Sequence, residues 1–269
     1  MALKDLIVHL DQSERTSARL ALAVSLAREH GATLVGVFAQ RAHAQKVGVV
    51  STWPSEEFTQ ACDASKISFN TATAGLAGAQ WRYINRGGDA EVTRHFVDLA
   101  RHADMVIVGQ HEQGDHFAPE ELVAEVVVAG GRPVLIVPYI GSFFEVGKTP
   151  LIAWHNAPEA ARALNDALAL IAGCRQAYVL SISARLEDGQ ATCAEVEQHL
   201  ATHGIQAKTE VVLVQDFGIM DVLLNRASDR SADLLVMGAH GSIGFPFESR
   251  GAGTRHILKH MTVPVLMSS

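Results

Sequence analysis

Three glycines near the end of the chain, Gly238, Gly241 and Gly251, stand in the pattern Gly-x2-Gly-x9-Gly and are followed by Ala252, Gly253 and Thr254. These residue types at this spacing suit the binding of a phosphate-bearing anion. Glycines let backbone N–H groups come close to an oxygen, and a helix starting after them adds unpaired N–H groups and the positive end of its dipole. The amides of residues 251–254 are expected to meet the anion, with the Thr254 hydroxyl either adding a hydrogen bond or capping the helix. His240 lies inside the loop, near phosphate or ribose or else in solvent; Arg250 is the nearest cation, in contact with phosphate or solvated. The same glycines also admit a ligand-free reading as chain turns.

The flanking pattern supplies what must position such a loop. Residues 234–237, Leu-Leu-Val-Met, form the continuous apolar run expected of a strand buried on both faces, broken at Gly238. After the glycines a short helix is predicted over 255–261, with Ile257, Leu258 and Met261 on one side. Pro264 stops it, and residues 263–267 read as one more strand.

Other chemistries lack their signatures. GxxxxGK[ST] does not occur, nor does a G-x-G-x-x-G following a strand: Gly251-Ala-Gly253 begins like one, but His256 stands where the third glycine belongs. His256 and His260 share a helix face, yet no glutamate follows His256 and no third ligand is evident, so a solvated helix face is favoured over zinc. There is no nucleophile elbow and no pair of carboxylates placed for acid–base work. Catalytic residues and metal ligands are therefore not assigned. Cys62, Cys174 and Cys193 are isolated and read as reduced thiols. A net charge of −7 without a basic run disfavours nucleic acid, and 48 % hydrophobic residues supply ample core. Charge arrives too early at the N-terminus for a signal peptide and no apolar stretch reaches spanning length. A cytoplasmic protein without membrane contact is expected.

The chain repeats itself. KDLIVHLDQSERTSARLALAVSLA from Lys4 and KTPLIAWHNAPEAARALNDALALIA from Lys148 align without a gap, each giving a strand, a polar break and an amphipathic helix. Leu20, Val24 and Ala27 fall on Leu164, Leu168 and Ile171 in that register. Later, ARHADMVIVGQH (100–111) repeats as DRSADLLVMGAH (229–240), and GGRPVLIVPY (130–139) as MTVPVLMSS (261–269). The shorter offset there implies an insertion of roughly fifteen residues in the first copy, placed in the irregular stretch 41–54. The domains are expected at 1–143 and 148–269. Alternating strands and helices predict an α/β fold in two tandem copies, each a doubly wound parallel sheet, with ligand space beyond the carboxyl ends of the strands.

The glycine spacing, together with the duplicated units and the junction VLIVPYIGSFFEVGK, resembles the tandem universal stress proteins of bacteria over nearly the whole chain. The resemblance implies a Rossmann-like, adenine nucleotide alpha hydrolase-like fold and an ATP-binding regulatory role in the stress response. The cofactor would be ATP, or ADP or AMP, with Mg2+. It implies a site formed by Ala153, Trp154 and His155 at the end of the first strand, by Ile182 near the adenine, and by Gly238, His240, Gly241, Arg250, Gly251, Ala252, Gly253 and Thr254. The family has an acidic residue at the strand end; the first copy keeps it as Asp11, whereas the second has His155 followed by Asn156. Ala252 stands where the family often has a hydroxyl. The first copy reads Gly109-Gln-His-Glu112, which loses the spacing and puts a negative charge where phosphate would lie, so that half is expected to be degenerate. Residues 134–138 and 263–267 are expected to pair across the copies as an internal pseudo-dimer, with further homodimer formation and an unnamed protein partner left open. A nucleotide-independent interaction scaffold is the alternative, and any ATP hydrolysis would be slow.

Overall fold

The first sequence copy runs β1 (Asp5–Leu10), α1 (Thr16–His30), β2 (Thr33–Ala39), β3 (Gln45–Val47), β4 (Val50–Thr52), α2 (Glu56–Ala72), β5 (Gln80–Ile84), α3 (Asp89–Ala100), β6 (Met105–Gly109), α4 (Leu122–Ala129) and β7 (Val134–Val137). The second runs β8 (Pro150–Trp154), α5 (Pro158–Ile171), β9 (Ala177–Ser183), α6 (Leu186–Thr202), β10 (Ala207–Leu213), α7 (Ile219–Asp229), β11 (Leu234–Gly238), α8 (Ala252–His260) and β12 (Val265–Ser268). The computed structural model describes residues 2–47, 50–85, 87–213, 218–239 and 251–269. His240, Gly241 and Arg250, three of the expected site residues, lie outside that description.

Compactness divides the chain into residues 2–132 and 133–269. Within the first unit the strand order is β6-β1-β2-β5, all parallel. Within the second it is β10-β9-β8-β11-β12-β7, parallel except for β12 and β7, which run antiparallel with Leu266 opposite Leu135. The expected pairing of the two terminal strands is thus present. Through this ladder to β12, β7 counts with the second unit although its sequence closes the first copy.

Both units are doubly wound for a reason visible in the strand order. Crossovers from β8 to β9 and from β10 to β11 travel in opposite directions across the sheet, and right-handed connections then place their helices on opposite faces. The strands are covered on both sides, so β1, β6, β8 and β11 are near-continuous apolar runs, and Leu6, Val8, Ile107, Leu234 and Val236 are fully buried. One contact repeats in each unit. The Asp104 carboxylate accepts from the N–H groups of Lys4 and Asp5 at 2.7 and 3.1 Å, and Asp233 accepts from those of Lys148 and Thr149 at 2.7 and 2.9 Å. Each aspartate lies just before the strand that pairs with the first strand of its copy, and fixes where that strand begins.

Two sequence expectations shift. The stretch 41–54 is not irregular throughout: it carries the antiparallel pair β3 and β4, in a β2–α2 connection far longer than its counterpart between β9 and α6. The last helix begins at Ala252, earlier than the expected 255, because the chain enters it through Gly251 at φ 84°, ψ 3°. A left-handed residue directly before a helix turns the chain sharply into its first turn, and glycine does this without steric penalty.

Candidate functional site

The space beyond the carboxyl ends of β8 and β11 is the point in the second unit where strand order reverses, since the chain leaves β8 towards β9 and returns on its other side as β11. A crevice opens there, lined by Ala153, Trp154 and His155 from the end of β8, Glu159 and Ala160 from the first turn of α5, and Ile182 from β9. Met220 and Leu223 of α7, Met237 and Gly238 of β11, and Gly253 and Thr254 of α8 complete it. Seven of the residues singled out from sequence, Ala153, Trp154, His155, Ile182, Gly238, Gly253 and Thr254, therefore meet in one place. Gly251 and Ala252 adjoin it without lining it.

The backbone donors of the crevice come from the first turn of α8. Its first intrahelical hydrogen bond is donated by Arg255 N–H to Gly251 O at 3.0 Å, so the N–H groups of residues 252–254 precede the hydrogen-bonded ladder. Thr254 sits within the first turn and is buried, while Gly251 occupies the capping position; the hydroxyl is therefore not the residue that caps the helix start. Lys259 and His260 fall in the last turn, where positive charge suits the opposite end of the dipole. The floor of the crevice is apolar, with Ile182, Met220, Leu223 and Met237 all buried. A flat apolar group with an anionic end fits such a lining.

Gly238 is explained by packing as well as by any ligand. A Cβ there would lie 2.7 Å from the backbone carbon and the Cγ of Glu159 and 2.8 Å from the backbone nitrogen of Ala160. Real contacts of that kind do not occur, so the end of β11 can lie against the start of α5 only because residue 238 has no side chain. His256 of α8 and Asp221 of α7 join the two helices through Nε2 and Oδ1 at 2.8 Å, and the His260 ring lies 4.4 Å from that of His256.

In the first unit the corresponding strand end carries a buried arginine. Arg19, buried at 3 % exposure, stands one helical turn inside α1 and extends back over the end of β1. Its Nε donates to His9 O at 2.7 Å, and its Nη2 to Asp11 Oδ2 at 3.0 Å and Thr16 Oγ1 at 2.9 Å. A Cβ on Gly109, the equivalent of Gly238, would meet Arg19 Nη1 at 2.1 Å. The Asp11 carboxylate also accepts from Ser13 N–H at 3.0 Å, from the Ser13 hydroxyl at 2.6 Å and from the Thr16 hydroxyl. Burial alone would raise its pKa, but the Arg19 charge, then His9 and the two hydroxyls, hold it well below the usual carboxylate range. His9 donates from Nε2 to Ala39 O at 2.7 Å, and burial lowers its pKa against the pull of Asp11. Asp11, the residue that made the first copy look partly competent, is thus consumed by internal partners. The sequence signal was available in the aligned pair Arg19 and Ala163: a guanidinium in one copy and a methyl in the other.

No family model matches the sequence, and no curated protein does either. Solved structures do. A universal stress protein from Archaeoglobus fulgidus matches over 98 % of this chain and 98 % of its own, at 13 % identity and a TM-score of 0.69. A protein of unknown function from Pseudomonas aeruginosa matches over 99 % of this chain and 92 % of its own, at 14 % identity and a TM-score of 0.60. The chain has the fold of a tandem universal stress protein, α/β in two copies, as its strand order indicates.

Proposed function

We propose that this chain is a universal stress protein acting as a nucleotide-binding regulator in the bacterial stress response, with ATP, or ADP or AMP, held in the second unit. The observation that carries the reading is the meeting, at the reversal of strand order, of the first turn of α8 with the ends of β8, β9 and β11. Amides that precede the helical ladder favour phosphate oxygens, and the apolar floor around Ile182 suits a purine. Mg2+ would arrive with the phosphates, which supply most of its ligands in such sites. His240, Gly241, Arg250, Gly251 and Ala252 are assigned to the phosphate end on spacing alone.

The role is regulatory in this reading because fast phosphoryl transfer needs a positioned base and a cation at the developing charge. Among the described residues, His155 and Glu159 are the titratable groups that line the crevice. Nucleotide would instead stabilise one shape of the second unit for a protein partner to recognise. The first unit, whose Asp11 is paired internally with Arg19, contributes structure.

Calorimetry and thermal melting with ATP, ADP and AMP plus Mg2+ test the reading. At a ligand concentration one hundred times Kd, the folded state gains about 2.7 kcal/mol, which appears as a higher melting temperature. Gly253→Asp places a carboxylate in the first turn of α8 and is expected to abolish the gain. An unchanged melting temperature of the unsubstituted chain at millimolar nucleotide rejects the proposal. The second reading, an interaction scaffold without nucleotide, then takes its place; it is favoured by Gly238, whose missing side chain the packing on α5 already accounts for.

A further inference from the structure

Among the polar side chains of the crevice that find no partner among the described residues, Trp154 and Glu159 have opposite hydrogen-bonding sense. Trp154 is 8 % exposed, and its Nε1 has no acceptor. An indole N–H can only donate, and a buried donor left unpaired is costly. Glu159 is half-buried in the first turn of α5 and makes no hydrogen bond or ion pair. An ionised carboxylate can only accept.

The duplicated sequence explains how the two came to face one space. The first copy has Leu10, Asp11 and Arg15 where the second has Trp154, His155 and Glu159. In the first copy the carboxylate is at the strand end and a cation follows four residues on. In the second the carboxylate stands at the later position, one helical turn into α5, and the strand end carries an indole and an imidazole. Its placement is fixed by packing: the Glu159 stem lies where a side chain on residue 238 would be, so the bare Gly238 seats it between the ends of β8 and β11.

We propose that Glu159 and Trp154 are the specificity-determining pair of this site, Glu159 accepting hydrogen bonds from the sugar hydroxyls of the ligand and Trp154 donating to an acceptor atom on its uncharged part. This rests on the nucleotide reading above and deepens it. A carboxylate repels phosphoryl oxygens, so the favourable partner for Glu159 is a neutral hydroxyl. Phosphate is left to the first turn of α8. The carboxylate that the strand end lost at His155 is thereby restored from α5.

The test compares Mg-ATP with Mg-2′,3′-dideoxy-ATP, which lacks both ribose hydroxyls, by calorimetric titration of the full chain. The unsubstituted protein is expected to bind the dideoxy nucleotide about tenfold more weakly, because a half-buried acceptor covered by the ligand is left without its donor. Glu159→Ala removes the acceptor and is expected to bring the two affinities within about twofold of each other. The ratio is the readout, since removing a negative charge also changes the absolute affinity for any polyphosphate. Glu159→Gln, which keeps shape and one acceptor oxygen, retains part of the discrimination. Trp154→Phe weakens both nucleotides by a similar factor, because the atom it serves is present in both. Should Glu159→Ala melt below the working temperature, Glu159→Gln decides alone, through a smaller ratio than the unsubstituted chain gives. Equal binding of the two nucleotides by the unsubstituted protein, or undiminished discrimination in the Glu159 variants, overturns the proposal and leaves nucleotide binding intact. Absence of binding to either nucleotide overturns both.

Discussion

Arg19 and Asp11 illustrate how one substitution between aligned copies changes what a site can do. In the second copy the position of Arg19 is Ala163; in the first, a buried guanidinium lies over the strand ends and pairs with Asp11. Breaking a buried pair from one side strands the other charge. Arg19→Met is therefore expected to destabilise the first unit by about 3–5 kcal/mol at neutral pH, measured by denaturant unfolding. The pH dependence follows from the direction of the shifts. In the intact chain Asp11 is held below its unfolded pKa, so its contribution is present at neutral pH and fades as acid protonates the unfolded carboxyl first. His9, also depressed, loses stability in the same direction as pH falls through the ordinary histidine range. In Arg19→Met, burial dominates and raises Asp11, so the penalty is greatest at neutral pH and narrows on acidification. A penalty that instead grew towards low pH would show that Arg19 does not govern the charge of Asp11.

The elements of the site are held by contacts that act through backbone. Gly238→Ala drives a methyl into the first turn of α5 and is expected to cost about 1–3 kcal/mol, the usual range for overpacking, by the same unfolding measurement. It should weaken nucleotide binding as well, because β11 and α5 bound the crevice together; a variant as stable as the parent would mean that α5 moves freely. The repeated aspartates allow an internal comparison. Asp233→Ala and Asp104→Ala each release two backbone N–H groups at the start of a strand, for about 1–3 kcal/mol of lost stability apiece. The larger cost is expected for Asp233, whose two bonds are both part-buried, whereas one of the Asp104 bonds is exposed. Hydrogen exchange at Lys4 and Asp5, or at Lys148 and Thr149, reports which strand start has loosened.

At the scale of the whole chain, sequence repetition and compactness divide the molecule at different points. The repeat places the first copy at 1–143, whereas the compact units are 2–132 and 133–269, because β7 bonds to β12. A fragment of residues 133–269 is accordingly expected to melt higher than one of residues 148–269. The longer piece keeps the β7–β12 ladder and the apolar side chains of β7 that the shorter one loses. Thermal melting of the two fragments checks this, and indistinguishable behaviour would return the boundary to the junction at 144–147.

The amino-acid order alone was enough to set the duplicated α/β architecture and the parallel strand–helix alternation. These are local consequences of hydrophobic period and of two aligned halves, which any part of the chain carries by itself. It also marked Gly238, Gly253 and Thr254, because glycine spacing is a linear feature; the residues from Ala153 to His155 came from the family resemblance. Folding decided the rest. Glu159, Met220, Leu223 and Met237 reach the crevice only when α5, α7 and β11 are packed around it, and no spacing announces that. The pairing of Asp11 likewise depends on a long side chain, that of Arg19, bending back over its own strand, a contact made by geometry in three dimensions and invisible to periodicity. The helix start moved to Ala252 for a comparable reason: a single left-handed glycine redirects the chain, and whether a glycine adopts that conformation is settled by what surrounds it.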